Sequence, residues 1–163
     1  MPCPNCRLIG ALVLHGCLRG YDERSAQAKI VRGRRIFCNN RKARHNGCGR
    51  TFSILAAAVL KTFSISAASL WHFLKAIRGL PDRRPALRKL GLSFHASAAY
   101  RLWKRFVRAQ TRIRGYLTRH CPRPELPVTP CAATQTIAHL RAVFNQAACP
   151  VAAFQQRFQA SFL

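Results

Sequence analysis

The sequence predicts a small β unit pinned by four cysteines, followed by a mainly α domain and a C-terminal helical tail. Three observations carry that expectation. Cysteines are paired in the first third, as Cys3-Pro4-Asn5-Cys6 and again as Cys38 and Cys48. Apolar residues then recur at helical spacing over roughly residues 66–119. Four prolines within residues 121–130 finally set off a stretch rich in Phe and Ala. The expected boundaries are 1–52 for the β unit, 53–120 for the helical domain, 121–131 for a proline-rich linker and 132–163 for the tail.

Within residues 1–52, short β-prone pieces at 11–15, 29–37 and 51–54 alternate with Gly16, Gly20 and Gly33, which reads as hairpins with long loops. So few large side chains cannot bury a self-sufficient core. The cysteines offer another source of stability. A two-residue spacer, as between Cys3 and Cys6, lets both thiolates approach one ion at tetrahedral angles. The second half runs from Cys38 to Cys48 and continues Gly49-Arg50-Thr51-Phe52, with Gly49 free to adopt a positive φ. The expected ligands are Cys3, Cys6, Cys38 and Cys48, and the expected ion is Zn2+, whose binding contributes roughly 10–16 kcal/mol in such sites. The spacing Cys38-x6-His45-x2-Cys48 leaves a second reading open, with His45 in place of Cys38 or Cys48. Cys17 is expected to be a small buried thiol.

These motifs carry a resemblance. Cys-Pro-x-Cys at the start, a basic strand running into a cysteine (Arg32-Gly33-Arg34-Arg35-Ile36-Phe37-Cys38) and Cys48-Gly49-Arg50-Thr51-Phe52 resemble the zinc ribbon of bacterial insertion-sequence transposases and their DNA-binding accessory proteins. The resemblance covers residues 1 to about 52. It implies a DNA-binding role in transposition or in regulating a mobile element, and a helix-turn-helix domain after the ribbon.

The helical domain fits that outline. Ser53 is a candidate cap for a helix over 54–63, and Ser66 or Ser69 for one ending at Ile77. Gly79 and Pro81 then interrupt. Asp82 can cap a short helix over 83–90, Gly91 turns the chain, and a long helix spans about 94–119. A short helix, a glycine turn and a longer helix make the helix-turn-helix pattern. On a wheel, Leu102, Ile113, Phe106, Ala99, Leu117, Gln110 and Trp103 of the long helix share one side. Lys104, Arg105, Arg108, Arg112 and Arg119 share the other, without acidic neighbours to pair with them.

Charge identifies the expected partner. Lys and Arg total 28 against 4 acidic residues, a net charge of +24. So positive a surface repels itself when compact, and a polyanion relieves it. The first 52 residues hold 11 basic side chains and residues 53–120 hold 14, whereas 121–163 hold 3. The expected DNA contacts are Arg32, Arg34, Arg35, Arg41, Lys42, Arg44 and Arg50 in the ribbon. In the helical domain they are His95, Ser97, Arg101 and Lys104 for base edges, with Ser93 and Tyr100 as further candidates. Arg105, Arg108 and Arg112 are cast as phosphate contacts. RNA is the alternative polyanion. The tail, with Phe144, Phe154, Phe158 and Phe162, either folds back or docks a partner, a transposase, a recombinase or a second copy.

No enzyme is expected. Metal-dependent DNA cleavage needs two or three convergent carboxylates, and the chain owns only Asp22, Glu23, Asp82 and Glu125. Its tyrosines are Tyr21, Tyr100 and Tyr116, in a chain short for a tyrosine recombinase. His15 and Gly16 interrupt the apolar run 8–14, and the run Ile54–Leu60 is too short for a membrane span of about 20 residues. The expected setting is cytoplasmic and nucleoid-associated, away from membranes.

Overall fold

The β-prone pieces lengthen into β1 (Leu12–Tyr21), β2 (Lys29–Cys38) and β3 (Thr51–Leu55), and they pair as an antiparallel sheet in the order β1-β2-β3. The register of β1 on β2 runs from Leu12 opposite Cys38 to Tyr21 opposite Lys29, with irregularities at Leu14/Gly16 and Leu18/Arg19. Gly16 therefore does not end the first strand. It sits at a register shift with φ 148°, and the strand continues through Gly20. β2 pairs with β3 from Gly33 opposite Leu55 to Phe37 opposite Thr51. A Cβ at Gly33 would collide with the Ile54 carbonyl, so only glycine permits this approach of the two backbones. The computed structural model describes residues 1–25, 27–41, 46–77, 80, 82–92, 94–95, 97–125 and 131–163.

The helices are α1 (Ala67–Ala76), α2 (Arg84–Arg88), α3 (Ser97–Thr118), α4 (Ala132–Val143) and α5 (Pro150–Phe158). Ser66 caps α1, its Oγ accepting from the Ser69 amide at 3.1 Å. Glu23 adds to this cap. Its carboxylate accepts from the Ser66 amide at 2.6 Å and from the hydroxyls of Ser66 and Ser69 at 3.0 and 2.8 Å. A carboxylate at a helix N-terminus satisfies free amides and opposes the helix dipole.

The helix expected over 54–63 does not form. Residues up to Leu55 are taken by pairing with β2, and the chain then turns. The carbonyls a helix would have satisfied internally find other donors. Gln155 Nε2 donates to Ala57 and Val59 at 2.7 and 2.9 Å, and the Ala67 amide donates to Ala58 at 2.8 Å. Gly91 has φ 61°, as the turn after α2 requires. The connection from α2 to α3 occupies residues 89–96, longer than the three or four residues of a helix-turn-helix turn.

The chain divides into two compact units, Met1–Tyr21 with Gln27–Ala56, and Asp22–Ala26 with Ala57–Leu163. The second has a continuous apolar core. Phe73, Leu70 and Leu74 of α1, Leu102, Phe106, Ile113 and Leu117 of α3, Ile137 and Leu140 of α4, and Phe154 of α5 are all buried. Residues expected to belong to the separate helical domain and tail thus share one core. Phe162 stacks on Phe106 with centroids 6.2 Å apart and meets Phe154 edge-on at 5.3 Å. The tail folds back, and Phe154 and Phe162 are no longer free to dock a partner or a second copy. Trp103, placed on the wheel's core side, is half-buried, while Val107 lies exposed.

Candidate metal centre and basic face

The β unit has almost no apolar interior. Val13, Leu14, Val31 and Ile54 of its strands remain 41–60% exposed, and its buried apolar residues among those described are Cys3, Ala11 and Cys38, with Leu12, Cys48 and Phe52 packed against them. Its centre is its thiols.

Two turns bring them together. In the first, the Arg7 amide donates to the Cys3 carbonyl at 2.9 Å, the Asn5 amide points at Cys3 Sγ at 3.4 Å, and Arg7 takes φ 64°. In the second, the Gly49 amide donates to the Cys38 carbonyl at 3.1 Å, the Cys38 amide to Arg50 at 2.9 Å, and Gly49 adopts φ 69°. Amides of Asn39 and Gly47 close the intervening loop onto the carbonyls of Ala11 and Asn39. Hydrogen bonds at the two ends of the gap between Cys38 and Cys48 therefore return the second thiol to the first.

The four Sγ atoms lie within 4.8 Å of one another. Cys3 and Cys48 are 3.8 Å apart, and Cys6 and Cys38 are 3.7 Å apart. A metal at about 2.3 Å from each sulfur of a regular tetrahedron sets the sulfurs about 3.8 Å apart. A disulfide would need about 2.05 Å. The spacing fits one tetrahedral ion, and all four positions around it are filled by protein. His45 lies outside the described residues, as do Lys42, Arg44 and Ser93. Backbone amides, first that of Cys6, hold the Cys3 thiol down to about 6, while burial pushes the Cys38 thiol up to about 12. The turn's amides thus favour the charged form at Cys3, and burial disfavours it at Cys38.

Cys17, expected to be buried, is exposed and accepts from Arg34 Nη1 at 3.3 Å, because its strand is not covered by a second layer. The ribbon's basic residues do not share one face. Arg34 lies opposite Cys17 and Ile54, whereas the adjacent Arg35 lies opposite Gly16 and Ser53. Arg32 reaches the Tyr21 carbonyl at 3.5 Å, Arg41 lies over the Phe37 ring, and Arg50 is exposed.

On α3 the wheel is realised. Ala99, Leu102, Phe106, Gln110, Ile113 and Leu117 are buried, and Arg101, Lys104, Arg105 and Arg108 are exposed along the other side. Arg112 is also exposed but donates to the Ser161 and Phe162 carbonyls at 3.0 and 3.1 Å. It therefore ties the C-terminus to α3, a role its sequence position does not suggest. His95 and Ser97 are exposed and bonded to each other, the Ser97 amide donating to His95 Nδ1 at 3.3 Å. The Tyr100 hydroxyl donates to Asp82 at 3.0 Å. Sequence reasoning also missed Gly47, where a Cβ would press on the Asn39 carbonyl and lie 2.8 Å from Cys38 Sγ. A small residue one position before a ligand was the available signal.

No helix among the described residues is long and apolar enough to cross a membrane. No protein-family model, curated protein or solved structure matches the chain.

Proposed function

We propose that this chain is a DNA-binding protein whose β unit is a zinc ribbon, and that it serves transposition or its regulation without catalysing DNA cleavage. The observation that carries the zinc assignment is the gathering of four sulfurs within 4.8 Å of one another. An all-thiolate set with no open position suits a structural ion, and zinc is the usual occupant, with iron the principal rival for such a set. The DNA assignment rests on the net charge of +24 and on the row of exposed cations along α3, which has no acidic partners on its face. The exposed side of α3 acts as the nucleic-acid-facing surface, with a connection to α2 longer than a helix-turn-helix turn. Arg101, Lys104, Arg105 and Arg108 track phosphates, while Arg35, Arg50 and neighbouring basic residues of the ribbon add further contacts. The link to mobile elements rests on the resemblance of the ribbon motifs alone.

The non-catalytic assignment is supported by where the carboxylates are employed. Asp22 accepts from the amides of Arg24 and Ser25, Glu23 caps α1, and Asp82 accepts from Arg84 and Tyr100.

The test joins metal analysis to binding. Purified protein should carry one zinc per chain and bind duplex DNA with log affinity falling linearly in log salt, by about 0.9 per phosphate neutralised. A chelator strong enough to remove the metal should weaken that binding. A visible absorbance from iron would replace zinc, a flat salt dependence would remove the DNA reading, and preference for structured RNA in competition would redirect it to RNA.

A further inference from the structure

Backbone tracking leaves unexplained a cleft of about 630 Å3 in the helical unit, between α3 and the segment leading into α1. Its apolar wall is Phe63, Ile65, Phe94 and Leu102, and its cationic wall is Arg101, Lys104, Arg105 and Arg108. No carboxylate lines it. Four cations gathered in one concavity repel each other, and an anion inside relieves all four together. On the apolar side, Ile65 and Leu102 belong to the core and the two phenylalanines pack against it. Phe63 and Phe94 are half-buried, and the Arg105 guanidinium stands 5.9 Å from the Phe63 ring.

The wall opposite α3 is built to hold its shape. The two bonds from Gln155 to Ala57 and Val59, the bond from Ala67 to Ala58 and the bridge between Val59 and Ser66 pin the segment on both sides of Phe63. At the rim, Thr62 occupies the left-handed region at φ 67°, a conformation costly for a β-branched residue. Strain of this kind persists where surrounding structure enforces it, and such places cluster at ligand sites.

A ligand matching both walls has a phosphate at one end and a flat apolar face at the other. The volume falls within the range of about 300–1,000 Å3 for sites taking one small ligand, too little to admit a duplex. We propose that this cleft accepts a single unpaired nucleotide of a bound nucleic acid, with its phosphate among Arg101, Lys104, Arg105 and Arg108 and its base against Phe63 and Phe94. This rests on the nucleic-acid reading above and adds a preference to it: strand ends, overhangs or splayed bases over intact duplex.

The test compares a blunt duplex with the same duplex carrying a short single-stranded overhang, by anisotropy at one salt concentration with the metal-loaded full chain. The overhang should tighten binding about tenfold, the order expected for one stacked base. Phe63→Ala should bring that ratio close to one. Because Phe63 also packs on the core, exposed Lys104→Glu serves as a second variant and should lower the same ratio. In addition, 5-iodouracil at the unpaired position should crosslink to Phe63 or Phe94 on irradiation. Equal affinity for both probes, or a ratio that survives both variants, overturns the cleft and leaves duplex binding standing. Failure to bind either probe even at low salt removes the nucleic-acid reading and the cleft with it.

Discussion

Gly47 stands where a methyl group has no room, between the Asn39 carbonyl and Cys38 Sγ. Gly47→Ala must push apart the loop that returns Cys48 to the other thiols. The expected result is a β unit destabilised by about 1–3 kcal/mol, as overpacking usually costs, and faster loss of metal to a competing chelator. Cys38→Ser should go further and abolish metal retention, because it removes one of the two fully buried donors. Asp82 offers a test by pH. The Arg84 amide, with the Tyr100 hydroxyl and the Arg84 side chain, holds its carboxyl near 2, below the ordinary 3.8. A depressed folded value means the contribution is present above the ordinary value and lost as pH falls through the folded one. Urea midpoints of the helical signal should therefore differ between the native chain and Asp82→Asn at about pH 5, and converge only as pH falls below about 2.

At the scale of elements, α1 depends on a residue far from it in sequence. Glu23→Ala would leave the Ser66 amide and two hydroxyls without their acceptor and should cost about 1–2 kcal/mol, measurable as a lowered midpoint of thermal unfolding. Phe106→Ala should cost about 3–5 kcal/mol, since the ring is fully buried against Trp103 and Phe162. Elements governed by local rules were legible beforehand. Capping chemistry narrowed the start of α1 to Ser66 or Ser69, of which the structure uses Ser66, and the two sides of α3 followed from a 3.6-residue period. The cysteine set was legible too, because ligand chemistry restricts which residues can converge. Residues 54–63 were not, because Ala56-Ala57-Ala58-Val59-Leu60 has helical composition while a strand partner and a distant glutamine decide its backbone. Glu23 as a cap, Arg112 as a tether and the cleft beside Phe63 depend on tertiary neighbours, to which periodicity is blind.

Across the whole molecule, the two units rest on different physics. One is organised around four sulfurs and the other around a contiguous apolar core. Chelation should therefore abolish the protease resistance of the sheet while most of the helical circular dichroism survives. Loss of both together would show that the helices also depend on the ion. The segment Asp22–Ala26 has a consequence of another kind. It belongs with the helices although the strands on either side of it belong with the sheet, so the backbone passes between units three times, at 21/22, 26/27 and 56/57. Severing the chain after Ala56 would keep every residue of the sheet unit but would take Asp22–Ala26, and with it the Glu23 carboxylate that holds the start of α1, away from the helices. Modules joined by a single thread can be swapped between genes by one recombination event. Here a single cut at the boundary would strip the helices of a carboxylate carried between two strands of the sheet.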